Sequence, residues 1–240
     1  MKIYIEKDYN ALSKRAADII ASFLRQKPTA VLGFPTGSTP QKMYRMIAEK
    51  CKKGEISFKK IKTFNLDEYS GLSPDNKQSY KFFMRKNLFS NTDINNENIF
   101  FPTDFKPDYK NYDKKIKESG GIDLQVLGIG RNGHIGFNEP DSKFSSKTRE
   151  ISLTETTIED NARFFENKKD VPKKAVTMGI ATIMDAKKII LIASGKNKSQ
   201  AIFDALLGKV STKIPASIIQ RHKNVIVILD KEAAQKLVKK

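Results

Sequence analysis

The stretch Ala30-Val31-Leu32-Gly33-Phe34-Pro35-Thr36-Gly37-Ser38-Thr39-Pro40, running on into Gln41-Lys42-Met43-Tyr44, decides the fold. An apolar run of strand length without alternation reads as a strand buried on both faces. The turn that follows leads straight into a segment of helical spacing, which makes the strand–loop–helix unit of an α/β protein. Within the turn, Thr39 is expected at the N-cap and Pro40 at the first helical position. Gly37 lets backbone N–H groups approach a ligand, so Thr36, Gly37, Ser38 and Thr39 read as an anion cradle at a helix N-terminus, suited to phosphate. The bland alternative is an ordinary capped turn, which uses the same residue types. Gly-Lys-Ser/Thr and G-x-G-x-x-G are both missing here, which excludes a Walker loop or a dinucleotide fingerprint at this place.

The same pattern recurs along the chain. Ile61–Leu66, Leu124–Ile129, Ile189–Ala193 and Val225–Leu229 are further buried runs, separated by helical segments at 8–26, 39–53, 79–89, 108–119, 178–185, 198–207 and 231–238. Alternating strands and helices predict a doubly wound, mostly parallel open sheet with helices on both faces. In such sheets ligands bind beyond the carboxyl ends of the strands, so the chemistry is expected in the loops that follow the apolar runs. One domain is expected across residues 1–240, without repeat or low-complexity linker.

Composition narrows the function. No run approaches the ~20 apolar residues that span a bilayer, and the reading is a cytoplasmic protein with no membrane partner. One cysteine, Cys51, and two histidines leave no metal site to expect. The net charge of +17 raises nucleic acid as a partner, but lysines dominate and are spread along the chain without an arginine-rich or basic-aromatic cluster, so none is expected.

Two loops carry acid–base residues. Asp67-Glu68 follows a predicted strand end; one carboxylate can face the crevice as a general base on a carbon acid while the other points away, and the alternative is an exposed acidic turn. Gly128-Ile129-Gly130-Arg131-Asn132-Gly133-His134-Ile135-Gly136-Phe137-Asn138-Glu139-Pro140 surrounds one histidine with glycines, which brings an imidazole close to a ligand; Asn132 or Glu139 can orient its ring. Arg163 and Lys198 lie where an anion can be closed over, although each alone also suits a solvated charge. Lys198 starts a helix whose dipole can help hold phosphate.

Together, Gly33–Pro40, Phe64–Tyr69, Gly130–Pro140 and Ala175-Val176-Thr177-Met178-Gly179 resemble the glucosamine-6-phosphate deaminase family over nearly the whole chain, in the short Gram-positive form. The resemblance implies a cofactor-free conversion of glucosamine 6-phosphate to fructose 6-phosphate and ammonia, a step of amino-sugar catabolism. It implies that His134, assisted by Asn132 and Glu139, opens the pyranose ring, and that Asp67 moves the C2 proton to C1. It also implies a phosphate grip from the 36–39 loop, Arg163 and Lys198, with Arg163 on a mobile lid of roughly 153–173. Asn132 stands where the larger family members carry a carboxylate, and Arg149-Glu150-Ile151 stands where they carry an Arg-x-Lys effector pair. A monomer without allosteric activation is therefore expected. Two other readings are a 6-phosphogluconolactonase, whose loop lacks the Phe137-Asn138-Glu139-Pro140 ending, and a non-catalytic sugar-phosphate sensor, for which no helix-turn-helix segment is seen.

Overall fold

The computed structural model describes residues 1–153, 155, 158–159, 165, 167 and 171–238. In chain order the strands are β1 (Lys2–Glu6), β2 (Val31–Phe34), β3 (Lys62–Asn65), β4 (Asp67–Tyr69), β5 (Ile99–Phe100), β6 (Leu124–Leu127), β7 (Arg149–Ser152), β8 (Lys174–Thr177), β9 (Ile189–Ala193) and β10 (Val225–Asp230). The described helices are α1 (Tyr9–Gln26), α2 (Ser38–Lys52), α3 (Tyr80–Asn87), α4 (Lys110–Glu118), α5 (Ile180–Met184), α6 (Ser199–Leu207) and α7 (Gln235–Val238).

Seven strands form one parallel sheet in the order β1-β10-β9-β6-β2-β3-β5. Its central strands are buried on both faces because their residues feed two cores in alternation. On β9, Ile189 and Leu191 pack against Tyr112, Ile116 and Ile202 of α4 and α6, while Ile190 and Ile192 face Leu12, Ile20, Met43 and Ile47 of α1 and α2. Each such side chain contributes about 1.5–3 kcal/mol on burial. Helix α1 earns its place by spacing: Asp8 caps Ala11 N–H at 2.8 Å, and Leu12, Ala16, Ile20 and Leu24 recur along the buried face.

The first strand–helix unit differs from expectation in detail. Gly37, at φ 108°, is the N-cap of α2, and Ser38 is its first residue, so the helix begins two residues before the expected Thr39–Pro40 start. Only glycine takes that φ without strain, and Pro40 is tolerated because the first turn leaves its N–H groups unpaired anyway.

A second, three-stranded antiparallel sheet, β4-β8-β7, was not expected from the sequence. Its register places Asp67 opposite Thr177 and Thr177 opposite Arg149.

The chain leaves β2 towards β3 and β5, then returns through β6 on the other side of β2, so the strand order reverses between β2 and β6. Ligands bind at such a reversal. The four adjacent strands β3, β2, β6 and β9 carry at their carboxyl ends, in turn, Asp67, the 35–39 loop, the His134 loop and Lys198.

Candidate active site

Asp67 and Glu68 are both buried rather than forming an exposed acidic turn, and their surroundings differ. Asp67 is 7 % exposed, and among the described residues no group donates a hydrogen bond to its carboxyl. Burial first, and the charge of Glu68 second, push it up from 3.8 to about 8. A carboxyl in that state can gain and lose a proton near neutrality. Glu68 turns away and takes backbone N–H groups from Tyr69, Tyr80 and Lys81.

The His134 loop reaches Asp67 through Gly136. At φ 56°, a Cβ built there would lie 3.4 Å from Asp67 Oδ2 and 2.9 Å from Thr177 Oγ1, so only glycine lets the two loops approach this closely. Gly130 does the same for the ring, since a Cβ there would fall 2.2 Å from the His134 imidazole.

A hydrogen-bond chain fixes the imidazole. Glu139 Oε2 accepts from Asn132 Nδ2 at 2.7 Å, and Asn132 Oδ1 lies 2.7 Å from His134 Nδ1. A carboxylate can only accept, so it turns the Asn132 amide nitrogen towards itself and leaves the amide oxygen for the ring. Nδ1 is then the protonated nitrogen, and the Nε2 lone pair is left to act on a substrate. Glu139 Oε2 also lies 3.4 Å from His134 Nδ1, so it backs Asn132 rather than replacing it.

Two polar residues given no role from the sequence hold this loop in place. Asn138, fully buried, donates to Ile135 O at 2.9 Å and Met178 O at 2.8 Å and accepts from Arg149 at 3.0 Å. Thr177 Oγ1 accepts from Phe137 N–H at 3.1 Å. The ring of Phe137 stacks on Tyr80 and lies 5.9 Å from Tyr69, which joins the loop to β4 and α3 through an apolar contact. Thr177 lies inside the Ala175–Gly179 motif, which was the one signal that pointed to it.

In the 36–39 loop, Thr36 and Thr39 are half-buried and Gly37 and Ser38 exposed. Among the described residues the hydroxyls of Thr36, Ser38 and Thr39 have no partner, and no side chain caps α2. These groups suit an anion such as a phosphate monoester. Tyr44 ties the loop down by donating to Pro35 O. Lys198 is half-buried at the N-cap of α6, after Gly195, whose N–H is held by Asp230. Arg163 and most of the expected lid, 153–173, lie outside the described residues.

Three comparisons with known proteins agree with this geometry. The family model described as glucosamine-6-phosphate isomerases/6-phosphogluconolactonase matches residues 6–228. A glucosamine-6-phosphate deaminase of Clostridium novyi is 54 % identical over 241 residues, 99 % of this chain and 100 % of that one. One from a Thermoanaerobacter species is 50 % identical over 98 % of this chain and 94 % of its own. A solved monomeric glucosamine-6-phosphate deaminase of the NagB superfamily superposes with a TM-score of 0.93 at 43 % identity, covering 98 % of this chain and 99 % of that one. The 6-phosphogluconolactonase of Trypanosoma brucei shares the fold, with a TM-score of 0.73 at 21 % identity over 99 % of this chain and 98 % of that one. Among the described residues, no helix is long and apolar enough to cross a membrane.

Proposed function

The chain belongs to the glucosamine-6-phosphate isomerase/6-phosphogluconolactonase family, and from that premise we propose that its site converts glucosamine 6-phosphate and water to fructose 6-phosphate and ammonia. It is an enzyme of amino-sugar metabolism, an aldose–ketose isomerase with hydrolytic deamination.

The phosphate sits on the Thr36–Thr39 loop and the N-terminus of α2, with Lys198 and Arg163 as its cations. His134, set by Asn132 and Glu139, moves the proton between the ring oxygen and the anomeric hydroxyl and so opens the pyranose. Asp67 removes the C2 proton from the open-chain aldehyde to give an enolamine and returns it at C1. The C2 imine so formed adds water and expels ammonia. One base visiting two adjacent carbons needs only a carboxyl that is readily protonated and deprotonated. The observation that carries this reading is therefore Asp67 itself: buried, with no donor among the described residues, and within reach of the His134 loop through Gly136.

The chain acts as one catalytic unit, since residues from 36 to 198 converge on the site. It works as a cytoplasmic monomer. Ile151 supplies no cation to an effector phosphate, so kinetics are hyperbolic and N-acetylglucosamine 6-phosphate does not activate. A substrate titration with and without that compound, alongside light scattering for mass, checks this; a sigmoidal curve that the compound makes hyperbolic would overturn it. The activity itself is tested by incubating the chain with glucosamine 6-phosphate. Ammonia and fructose 6-phosphate are expected in equal amounts, and release of neither, with hydrolysis of 6-phosphogluconolactone instead, would sink the assignment.

A further inference from the structure

Asp67 and Glu68 are neighbours on β4 and both are buried, yet their surroundings are opposite. Glu68 is 2 % exposed and accepts three backbone N–H groups, from Tyr69 at 2.8 Å, Tyr80 at 3.0 Å and Lys81 at 2.9 Å. Tyr80 and Lys81 open α3, and the N-cap Ser79 spends its hydroxyl on Phe82, so Glu68 takes the two N–H groups that the cap leaves over. A helix N-terminus favours an anion, and so do three donors.

We propose that Glu68 is a positioning residue for the proton transfer at Asp67, a fixed anion that the first turn of α3 clamps beside the reacting carboxyl. The inference rests on Asp67 serving as the base.

Two adjacent buried carboxyls resist joint ionisation, and the one with donors keeps its charge. Burial leaves Glu68 above its ordinary value, with its three N–H groups and Lys81 opposing the rise, whereas among the described residues Asp67 has no such donors and is raised by both burial and Glu68. Among the described residues, the cations on the neighbouring elements are held by other partners. Lys81 is paired with Asp104 of the Pro102–Phe105 turn, Lys174 of β8 with Glu150 of β7, and Arg149 of β7 is engaged by Asn138. Among the described residues, the tyrosines Tyr44 of α2, Tyr69 of β4, Tyr80 of α3 and Tyr112 of α4 also sense Asp67, and they are neutral near pH 7. Glu68 thus makes Asp67 a stronger base for a carbon-bound proton without touching the substrate.

The test is a carboxyl carbon-13 NMR titration of the substrate-free full chain, with Asp67 assigned through Asp67→Asn, joined to pH profiles of kcat and KM. Glu68→Gln keeps an acceptor oxygen for α3 and removes the charge. Its Asp67 midpoint is expected about one pH unit or more lower, with the acid limb of kcat/KM following it. Plateau kcat should fall roughly 10-fold with KM nearly unchanged, as for a weakened base. Glu68→Asp keeps the charge and should hold the midpoint at its wild-type position even if Tm drops. An Asp67 midpoint that stays put in Glu68→Gln overturns the inference, and so does one that drops equally in both variants, because packing and not charge would then be responsible. Should Glu68→Gln fail to fold, Glu68→Asn is compared with Glu68→Asp: a midpoint lowered only in Glu68→Asn supports the inference, and one that is the same in both overturns it. A wild-type chain that releases no ammonia overturns the functional reading that it rests on, whereas an active wild type with an unmoved midpoint overturns the inference alone.

Discussion

On the proposed mechanism, Asp67 and His134 prepare for proton transfer in opposite ways. Asp67 sits in a buried strand end where none of the described residues donates to it, and its readiness comes from desolvation and a neighbouring charge. His134 sits in a half-exposed loop, and its readiness comes from partners, with Asn132 and Glu139 choosing which ring nitrogen carries the proton. Burial sets how strongly a group holds its proton, while a hydrogen-bond chain sets where the proton is held. The two regions should therefore respond differently to the same kind of substitution: charge matters most in the dry one, geometry in the wet one.

The largest effect is expected from Asp67→Asn. Turnover should fall by roughly 10³-fold with substrate binding nearly intact, since the base acts only in the transition state. Deuterium exchange at C2 reads the step directly, and wild-type exchange in the variant would remove Asp67 from the role. Stability should move the other way. A carboxyl raised from 3.8 to about 8 binds its proton in the folded chain but not in the unfolded one across that window, so folding stability falls as pH rises through it. Asn has no charge to bury, so the variant should gain a few kcal/mol over wild type at pH 8, of the order a multi-unit shift implies, and almost nothing at pH 4. Thermal melts at the two pH values check it; a gain of equal size at both would mean that charge is not the cause.

The same contrast explains what was legible in the sequence. The strands β2, β3, β6, β9 and β10 announce themselves as apolar runs because the sheet buries both of their faces. Strand β1 shows no continuous apolar run because it lies at the edge, where charged Lys2 and Glu6 flank Ile3 and Ile5 that stay exposed. The antiparallel sheet was hidden for a further reason. Asp67-Glu68-Tyr69 and Arg149-Glu150-Ile151 are short and polar, and they become strands by pairing with β8, which lies far along the chain from β4, rather than through local preference. His134, Asn132 and Glu139 stood out in the sequence because a glycine-rich loop has few structural uses for them, and the structure joins the three by hydrogen bonds. Asn138 and Thr177 were not, since a buried polar residue that ties a loop to distant carbonyls shows no pattern along the chain.

His134→Gln should break the wet half with a smaller loss. Glutamine can hydrogen-bond but cannot shuttle a proton, so turnover of the closed pyranose should fall by about 10²-fold. The reverse reaction, from fructose 6-phosphate and ammonia, should suffer less, because that sugar exposes its carbonyl more readily. Forward and reverse rates measured on one preparation decide; equal losses traced to binding alone would make His134 a contact residue.

The smallest effect is expected from Asn132→Asp, which exchanges amide and carboxylate in the reverse sense to Asp67→Asn and so tests the contrast most directly. The new carboxylate can still accept from His134 Nδ1, so the ring keeps its orientation and its free Nε2. What it loses is the donor to Glu139, now 2.7 Å from a like charge. In a dry site such a pair would resist ionisation, as Asp67 and Glu68 do. Here Asn132 is exposed and Glu139 half-exposed, so water screens the repulsion and the two carboxylates can part by a small rotation. Turnover should therefore change by no more than about 10-fold, which corresponds to ~1.4 kcal/mol at the transition state. Raising the salt concentration should narrow the gap to wild type, because an exposed pair is screened and a buried one is not. Steady-state rates for both chains at low and high salt settle the point: a loss as deep as that of Asp67→Asn, insensitive to salt, would mean that the loop is as dry in the working enzyme as the end of β3.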